Sequence, residues 1–317
     1  MAFGTDHVIS ADVPNFIPEL WSDEVIASYK ANLVLGNLVR KLNHRGKKGD
    51  TIKVPTPTRG TASSKSEQAL VTFIEHGTDA GTSILIDKHY EYSRLIEDLV
   101  SVQALESLRR FYTDDGGYAI GYEVDFQLVL ELMRADWTIG TVTNRVIQDD
   151  SSITGTVYEG NGTTWDQGTS TDISDAGIRT FIKALDDVDA PMAGRVLVIP
   201  TIVKQDLLGL ARFTEQAYVG EVAGANSIRN GLVGNIYGME VYVTTVLPEV
   251  DNSAGSAQVQ TGLCFQKDAC VLVEQLGIRA QSQYKQEYLA DLMTVDMIWG
   301  NKTVRNDSVI NFVVPTS

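Results

Sequence analysis

Between Arg40 and Lys65 the chain carries eight basic residues and one acid, Asp50. Arg40, Lys41, Arg45, Lys47, Lys48, Lys53, Arg59 and Lys65 give this stretch a charge of +7, while the whole chain is −15, so the remaining residues sum to −22. A cationic cluster of this kind recognises anions. Its most available partner is another copy of the same anionic chain, and opposite potentials steer association and fix register. A pI near 4.7 argues against wrapping nucleic acid, which needs a basic face, and suits a protein that sits near DNA without adhering to it. The plainer reading of the stretch is a solvated edge strand whose lysines prevent aggregation.

Other residues capable of chemistry do not converge. His7, His44, His76 and His89 share no ligand spacing. Cys264 and Cys270 lack a second Cys/His pair, so no zinc site is expected, and they read as reduced, half-buried side chains. Asp114-Asp115, Asp149-Asp150 and Asp186-Asp187 are adjacent in sequence and read as helix ends and turns, not as the two opposed carboxylates of a glycosidase. Tyr90, Tyr92, Phe111, Tyr112 and Tyr118 lie among acids and are expected to pack on a neighbouring element instead of stacking on bases. Phosphate-binding, dinucleotide-binding and nucleophile-elbow motifs are absent from the sequence. The expectation is therefore no enzyme, no cofactor and no metal.

The elements around the basic stretch explain its setting. Gly46-Lys47-Lys48-Gly49-Asp50 is a turn signal, and Thr51-Ile52-Lys53-Val54 alternates like a strand. Ile84, Ile86, Tyr90 and Tyr92 mark a returning strand. Between them, residues 58–83 hold one apolar patch, Leu70-Val71-Thr72-Phe73-Ile74, and such a long, core-poor excursion is a functional loop. Upstream, Pro14 and Pro18 punctuate an arm ahead of a helix capped by Ser22. Downstream, residues 97–137 have helical rhythm with a break or kink expected at Gly116-Gly117, because paired glycines weaken a helix. Residues 138–174 read as strands and turns, and residues 174–213 as helix–strand–helix. A Gly- and Ala-rich loop follows over 215–230, then a strand pair turning at Gly238 and an alternating tail from Leu263.

At 317 residues, 43% hydrophobic and a mean hydropathy of −0.06, the chain reads as a folded protein of one or two domains. No run reaches the roughly 18 apolar residues of a membrane span, and the first residues show neither the basic nor the apolar region of a secretory signal.

The order of arm, short helix, basic excursion, long helix, β-segment, α/β patch, Gly-rich loop and β-return resembles the major capsid proteins of tailed bacteriophages, the Hong Kong 97 type. Phe16-Ile17-Pro18-Glu19-Leu20-Trp21-Ser22-Asp23-Glu24-Val25 is similar to the N-terminal arm of many members. Gly49-Asp50-Thr51-Ile52-Lys53-Val54-Pro55 is similar to the start of their extended loop, and Asp87–Asp98 to the strand leading into the spine helix, which would be Leu99–Trp137. Residues 195–200 and 234–248 resemble core strands of the axial domain.

The resemblance implies an α+β fold in five parts. These are an arm and short helix over 1–45, an extended β-hairpin loop over 46–96, and a peripheral domain with the spine helix over 97–173. An axial domain follows over 174–260, then a return to the peripheral domain with a C-terminal tail over 261–317. It implies hexamers and pentamers that close an icosahedral shell around double-stranded DNA held without specific binding. The implied partners are a separate scaffolding protein, a portal and a decoration protein, with no membrane, and the implied place is the virion, assembled in the host cytoplasm. Neither a fused scaffolding extension ahead of the arm nor crosslinking through Lys65 is expected.

Candidate subunit-interface residues are Arg40, Lys41, Arg45, Lys47, Lys48, Lys53, Arg59, Lys65, Phe73, Phe16 and Trp21. Glu215, Tyr218, Glu221 and Asn226 are candidates for a loop at the capsomer axis. A nanocompartment shell enclosing protein cargo shares this fold and is the nearest alternative. A carbohydrate hydrolase with an acidic cleft is the alternative of another class.

Overall fold

Runs of β-branched and aromatic residues in this chain are organised as two main sheets. A computed structural model describes residues 33–46, 48–56, 60, 62–71, 73, 80–98, 108–145, 153–165, 170–210, 234–251 and 258–316. The first sheet has four strands: β1 (Arg40–Asn43), β4 (Lys88–Glu97), β14 (Cys270–Lys285) and β15 (Ala290–Thr303), in the order β1-β14-β15-β4. The hairpin of β14 and β15 is its frame, bulged between Glu274 and Arg279.

The second sheet has seven strands. β8 (Tyr158–Glu159), β9 (Arg195–Ile199), β10 (Asn235–Ile236), β11 (Met239–Val243), β13 (Gln258–Gln266) and β16 (Val309–Pro315) run in the order β10-β11-β9-β13-β16-β8, and β12 (Glu249–Asp251) pairs with β13. Every residue of β9 is buried, as a strand covered on both faces requires. Two smaller sheets complete the set: the hairpin of β2 (Thr51–Thr56) and β3 (Ala80–Leu85), and β5 (Trp137–Ile139), β6 (Val142–Arg145) and β7 (Thr154–Gly155).

Four helices are described: α1 (Leu35–Leu38), α2 (Leu108–Met133), α3 (Asp175–Asp187) and α4 (Thr201–Gly209). Ser174 caps α3, its Oγ accepting from the Gly177 N–H at 3.1 Å, and Asp175 favours the positive end of the helix dipole. The apolar face of α3 enters the core, where Phe181 stacks on Phe312 of β16 with ring centroids 4.9 Å apart. The helix–strand–helix expectation over 174–213 thus corresponds to α3, β9 and α4.

Several expectations change. α2 runs without interruption through Gly116-Gly117. Its glycine has a packing reason: a Cβ on Gly116 would meet the Tyr92 ring at 2.8 Å and Val295 at 3.0 Å, so the missing side chain lets the helix lie against β4 and β15. Trp137 belongs to β5, not to the helix, and residues 99–107 lie outside the described residues. The returning strand after the excursion is two strands in two sheets, because β3 pairs with β2 and β4 pairs with β15. The 261–317 region is also divided: β14 and β15 build the four-stranded sheet, but β13 and β16 lie inside the seven-stranded one. Cys264 and Cys270 are fully buried, not half-buried, and burial pushes both thiols up to about 12.

Candidate subunit interface

The basic stretch is held by a short, unusual anchor. α1 has no cap of its own, and a carboxylate from α2 takes that role. Asp125 Oδ2 accepts from the Val34 N–H at 2.7 Å and the Leu35 N–H at 3.1 Å, and Oδ1 accepts from the Gly36 N–H at 2.7 Å. Asp125 is 3% exposed, and burial raises its pKa against the opposing pull of those three N–H groups. From this anchor the chain passes directly into β1.

β1 runs parallel to β14, with Arg40 opposite Val271 and Leu42 opposite Val273. Alternation along a strand therefore separates the cations. Arg40 and Leu42 share the face of Val271 and Val273. Lys41 points to the α2 side, where its Nζ donates to Asn37 Oδ1 at 3.1 Å. Arg45 turns back onto β14 and pairs with Glu274 at 2.7 Å.

Val271 and Val273 form a small second core with Ile84 and Ile86, backed by Leu42, Ile52 and Val54. The base of the β2–β3 hairpin thus rests on its own chain. Gln275 Nε2 donates to the Gly49 carbonyl at 3.0 Å, and the Ile86 N–H to the Asp50 carbonyl at 2.7 Å, which pins the turn. At Gly300 the approach is so close that a Cβ would lie 2.2 Å from the Leu85 carbonyl oxygen. Beyond the base the described excursion is bare: Leu70 is 94% exposed and Phe73 87%, and Lys65 is exposed with them.

Between the hairpin base and the seven-stranded sheet lies a cleft of about 590 Å³. Leu42, Ile52, Val54, Val271 and Val304 give it an apolar lining, and Arg40, Lys53 and Arg305 contribute positive charge. Among the described residues lining it, Asp268 is the one carboxylate. The hydrolase alternative requires two carboxylates converging in a cleft, and this one does not supply them. Among the described residues no group of acids, histidines and cysteines is arranged to hold a metal ion, and no helix is long and apolar enough to cross a membrane.

The predicted interface residues are therefore dispersed. Arg40 and Lys53 meet at the cleft, Lys41 and Arg45 face elsewhere, Lys48 is exposed at the turn, and Lys65 and Phe73 lie out on the excursion. Lys47, Arg59, Phe16, Trp21, Glu215, Tyr218, Glu221 and Asn226 lie outside the described residues. Sequence reasoning missed Asp125 and Arg305; each is far in sequence from the stretch it joins, so no local spacing marks it. The aromatics behave as expected of packing groups: Tyr90 stacks on Trp299 at 5.0 Å, and the Tyr92 hydroxyl donates to Asp115 at 2.9 Å.

The family model described as phage capsid protein matches residues 117–273. A search among curated protein sequences finds no match. Among solved structures, one from Mycobacterium phage Che8 is 23% identical with a TM-score of 0.71, covering 94% of this chain and 97% of that one. The capsid of cyanophage P-SCSP1u has a TM-score of 0.72 at 18% identity, covering 96% and 95%. The capsid of Ralstonia phage GP4 has a TM-score of 0.70 at 15% identity, covering 95% and 96%. The family model thus matches 157 of the 317 residues, and the chain shares the fold of these phage structures along nearly its whole length.

Proposed function

We propose that copies of this major capsid protein assemble as hexamers and pentamers into an icosahedral shell around double-stranded DNA. The observation that carries this reading is the excursion: its base is packed on its own sheet, while Leu70 and Phe73 beyond it stay in water. A subunit with such a projection becomes stable by covering it on a neighbour, as obligate interfaces do. Rings of head-to-tail subunits bring the basic hairpin of one copy against the anionic surface of the next. The remaining negative charge limits adhesion to packaged DNA.

In this reading the seven-stranded sheet with α3 and α4 forms the axial part, and α2 with the four-stranded sheet forms the peripheral part. A separate scaffolding protein, a portal and a decoration protein complete the particle, which is assembled in the host cytoplasm. Phe16, Trp21, Lys47, Lys48, Arg59, Lys65 and Phe73 contact neighbours, and Glu215, Tyr218, Glu221 and Asn226 line the capsomer axis.

Electron microscopy of the expressed chain, alone and with a scaffold, tests the reading. Closed shells are expected; compact monomers under every condition would overturn it. Changing Lys47, Lys48, Lys53 and Arg59 together to Glu is expected to leave a folded subunit with assembly blocked or slowed. Normal particle yield at moderate salt would show that these charges are not at a contact.

A further inference from the structure

The strands β14 and β15 pair in regular register except at one place. Glu274 lies opposite Trp299, Leu276 opposite Ile298 and Arg279 opposite Asp296. Gln275 is therefore one extra residue on β14, and a second falls between Leu276 and Arg279. Extra residues of this kind interrupt the ladder and re-aim side chains. We infer that this bulged segment, with Arg45, holds the excursion at a fixed angle to its own subunit, and that the hold sets the direction in which one copy meets the next. The second half of the inference rests on the shell reading above.

The bulge is used on both flanks of the turn that starts the excursion. On the far flank, Gln275 Nε2 donates to the Gly49 carbonyl at 3.0 Å. On the near flank, Gly277 leaves a notch filled by the Arg45 guanidinium. A Cβ on Gly277 would lie 2.6 Å from Arg45 Nη2 and 2.8 Å from its Cζ. Arg45 is tied at both ends, since its backbone N–H donates to Asn43 Oδ1 at 2.9 Å and its Nη2 pairs with Glu274 at 2.7 Å.

The turn between these flanks has little packing of its own. Gly46 and Gly49 have φ of +74° and +127°, and a Cβ on either would meet nothing within 4 Å. The small core of Ile84, Ile86, Val271 and Val273 seats the base of the hairpin, but apolar contact is non-directional. The directed bonds of Arg45 and Gln275 select one angle. Arg45 is 56% exposed, so its ion pair adds little to stability, and losing it frees the angle before it unfolds the subunit. Arg45 thus serves as a positioning residue within its own chain and not as a contact to a neighbour.

Amide exchange in the unassembled subunit tests the hold. The reporter is the Ile86 N–H, which donates to Asp50 at the end of the turn. Gly277→Ala changes no charge, and Gly277 is outside the left-handed region, so the added methyl acts by displacing the guanidinium. It is expected to speed Ile86 exchange about tenfold while the β13 amides keep their parent rates. Arg45→Ala should give the same increase, and the two changes together no more than either alone. An unchanged Ile86 rate in Arg45→Ala, or effects that add, overturns the hold. Arg45→Ala combined with Gln275→Ala, expected to exceed Arg45→Ala alone, decides the matter if Gly277→Ala fails to fold.

Electron microscopy of assembled material tests the consequence. The parent chain is expected to give shells of one diameter, and Gly277→Ala and the Arg45→Ala, Gln275→Ala pair to give mixed diameters or open sheets. Variant shells of parent size and yield would overturn the role in assembly and leave the shell reading standing. A parent chain that forms no particles would remove the shell reading and that role together, while Ile86 exchange would still decide the hold.

Discussion

The seven-stranded sheet and the excursion are made of the same kinds of residue put to opposite uses. In the sheet and the helix α3 packed on it, Phe181, Phe265 and Phe312 are fully buried. In the excursion, Phe73 is 87% exposed. One region completes its core alone; the other, in the proposed shell, is covered by a neighbour. The border between the two runs through the β2–β3 hairpin, buried at Ile84 and bare at Leu70, and in the proposed shell it divides folding from assembly.

The largest effect should come from the closed region. Phe181→Ala removes the ring stacked on Phe312 and is expected to cost about 3–5 kcal/mol in urea unfolding of the unassembled subunit. A loss below about 1 kcal/mol would mean that this core is not as tightly filled as the excursion is bare. Asp125→Ala should cost about 2–4 kcal/mol, because three N–H groups lose their acceptor in a buried site. Asp125→Asn, which keeps the shape and one acceptor oxygen, should cost less, and equal losses would show that both carboxylate oxygens are needed to hold α1.

A smaller effect is expected on acidification. Arg279 binds both oxygens of Asp296, at 3.0 and 2.6 Å, and holds its pKa below the ordinary 3.8. A depressed folded-state pKa contributes stability that is fully present above the ordinary aspartate range and is lost as pH falls through and below it. Stability measured from pH 6 down to pH 3 should therefore fall more steeply in the parent than in Asp296→Asn.

The smallest stability effect belongs to the open region. Leu70→Ser with Phe73→Ser should leave subunit unfolding within about 0.5 kcal/mol of the parent while lowering particle yield. A large stability loss would place these residues in the subunit's own core and erase the distinction drawn above.

Much of this arrangement is legible in the residues. The Gly46–Asp50 turn, the alternation of Ile52 and Val54, and the Ser174 cap are local signals, and each is realised locally. What escaped is non-local. Gly116-Gly117 reads as a helix break until Tyr92 is seen lying against it, and Asp125 reads as one more helical acid until α1 arrives at its oxygens. The cleft joins Arg40 and Lys53 to Arg305 through the packing of two sheets, which no spacing encodes. The fully apolar run Cys270–Val273 looks like an ordinary buried strand, yet it serves two cores, with Leu272 on the α2 side and Val271 and Val273 under the hairpin.

The place of β16 has a consequence for timing. It lies between β13 and β8, pairing Val313 with Thr261 on one side and with Glu159 on the other. It is the last strand of its sheet to leave the ribosome, and it is an interior one. Until it is made, one edge of β13 is an unpaired template and β8 keeps only its local bridge to Thr164 among the described residues, and pairings this distant in sequence close slowly. A chain cut short before residue 309 therefore leaves this sheet without its interior strand.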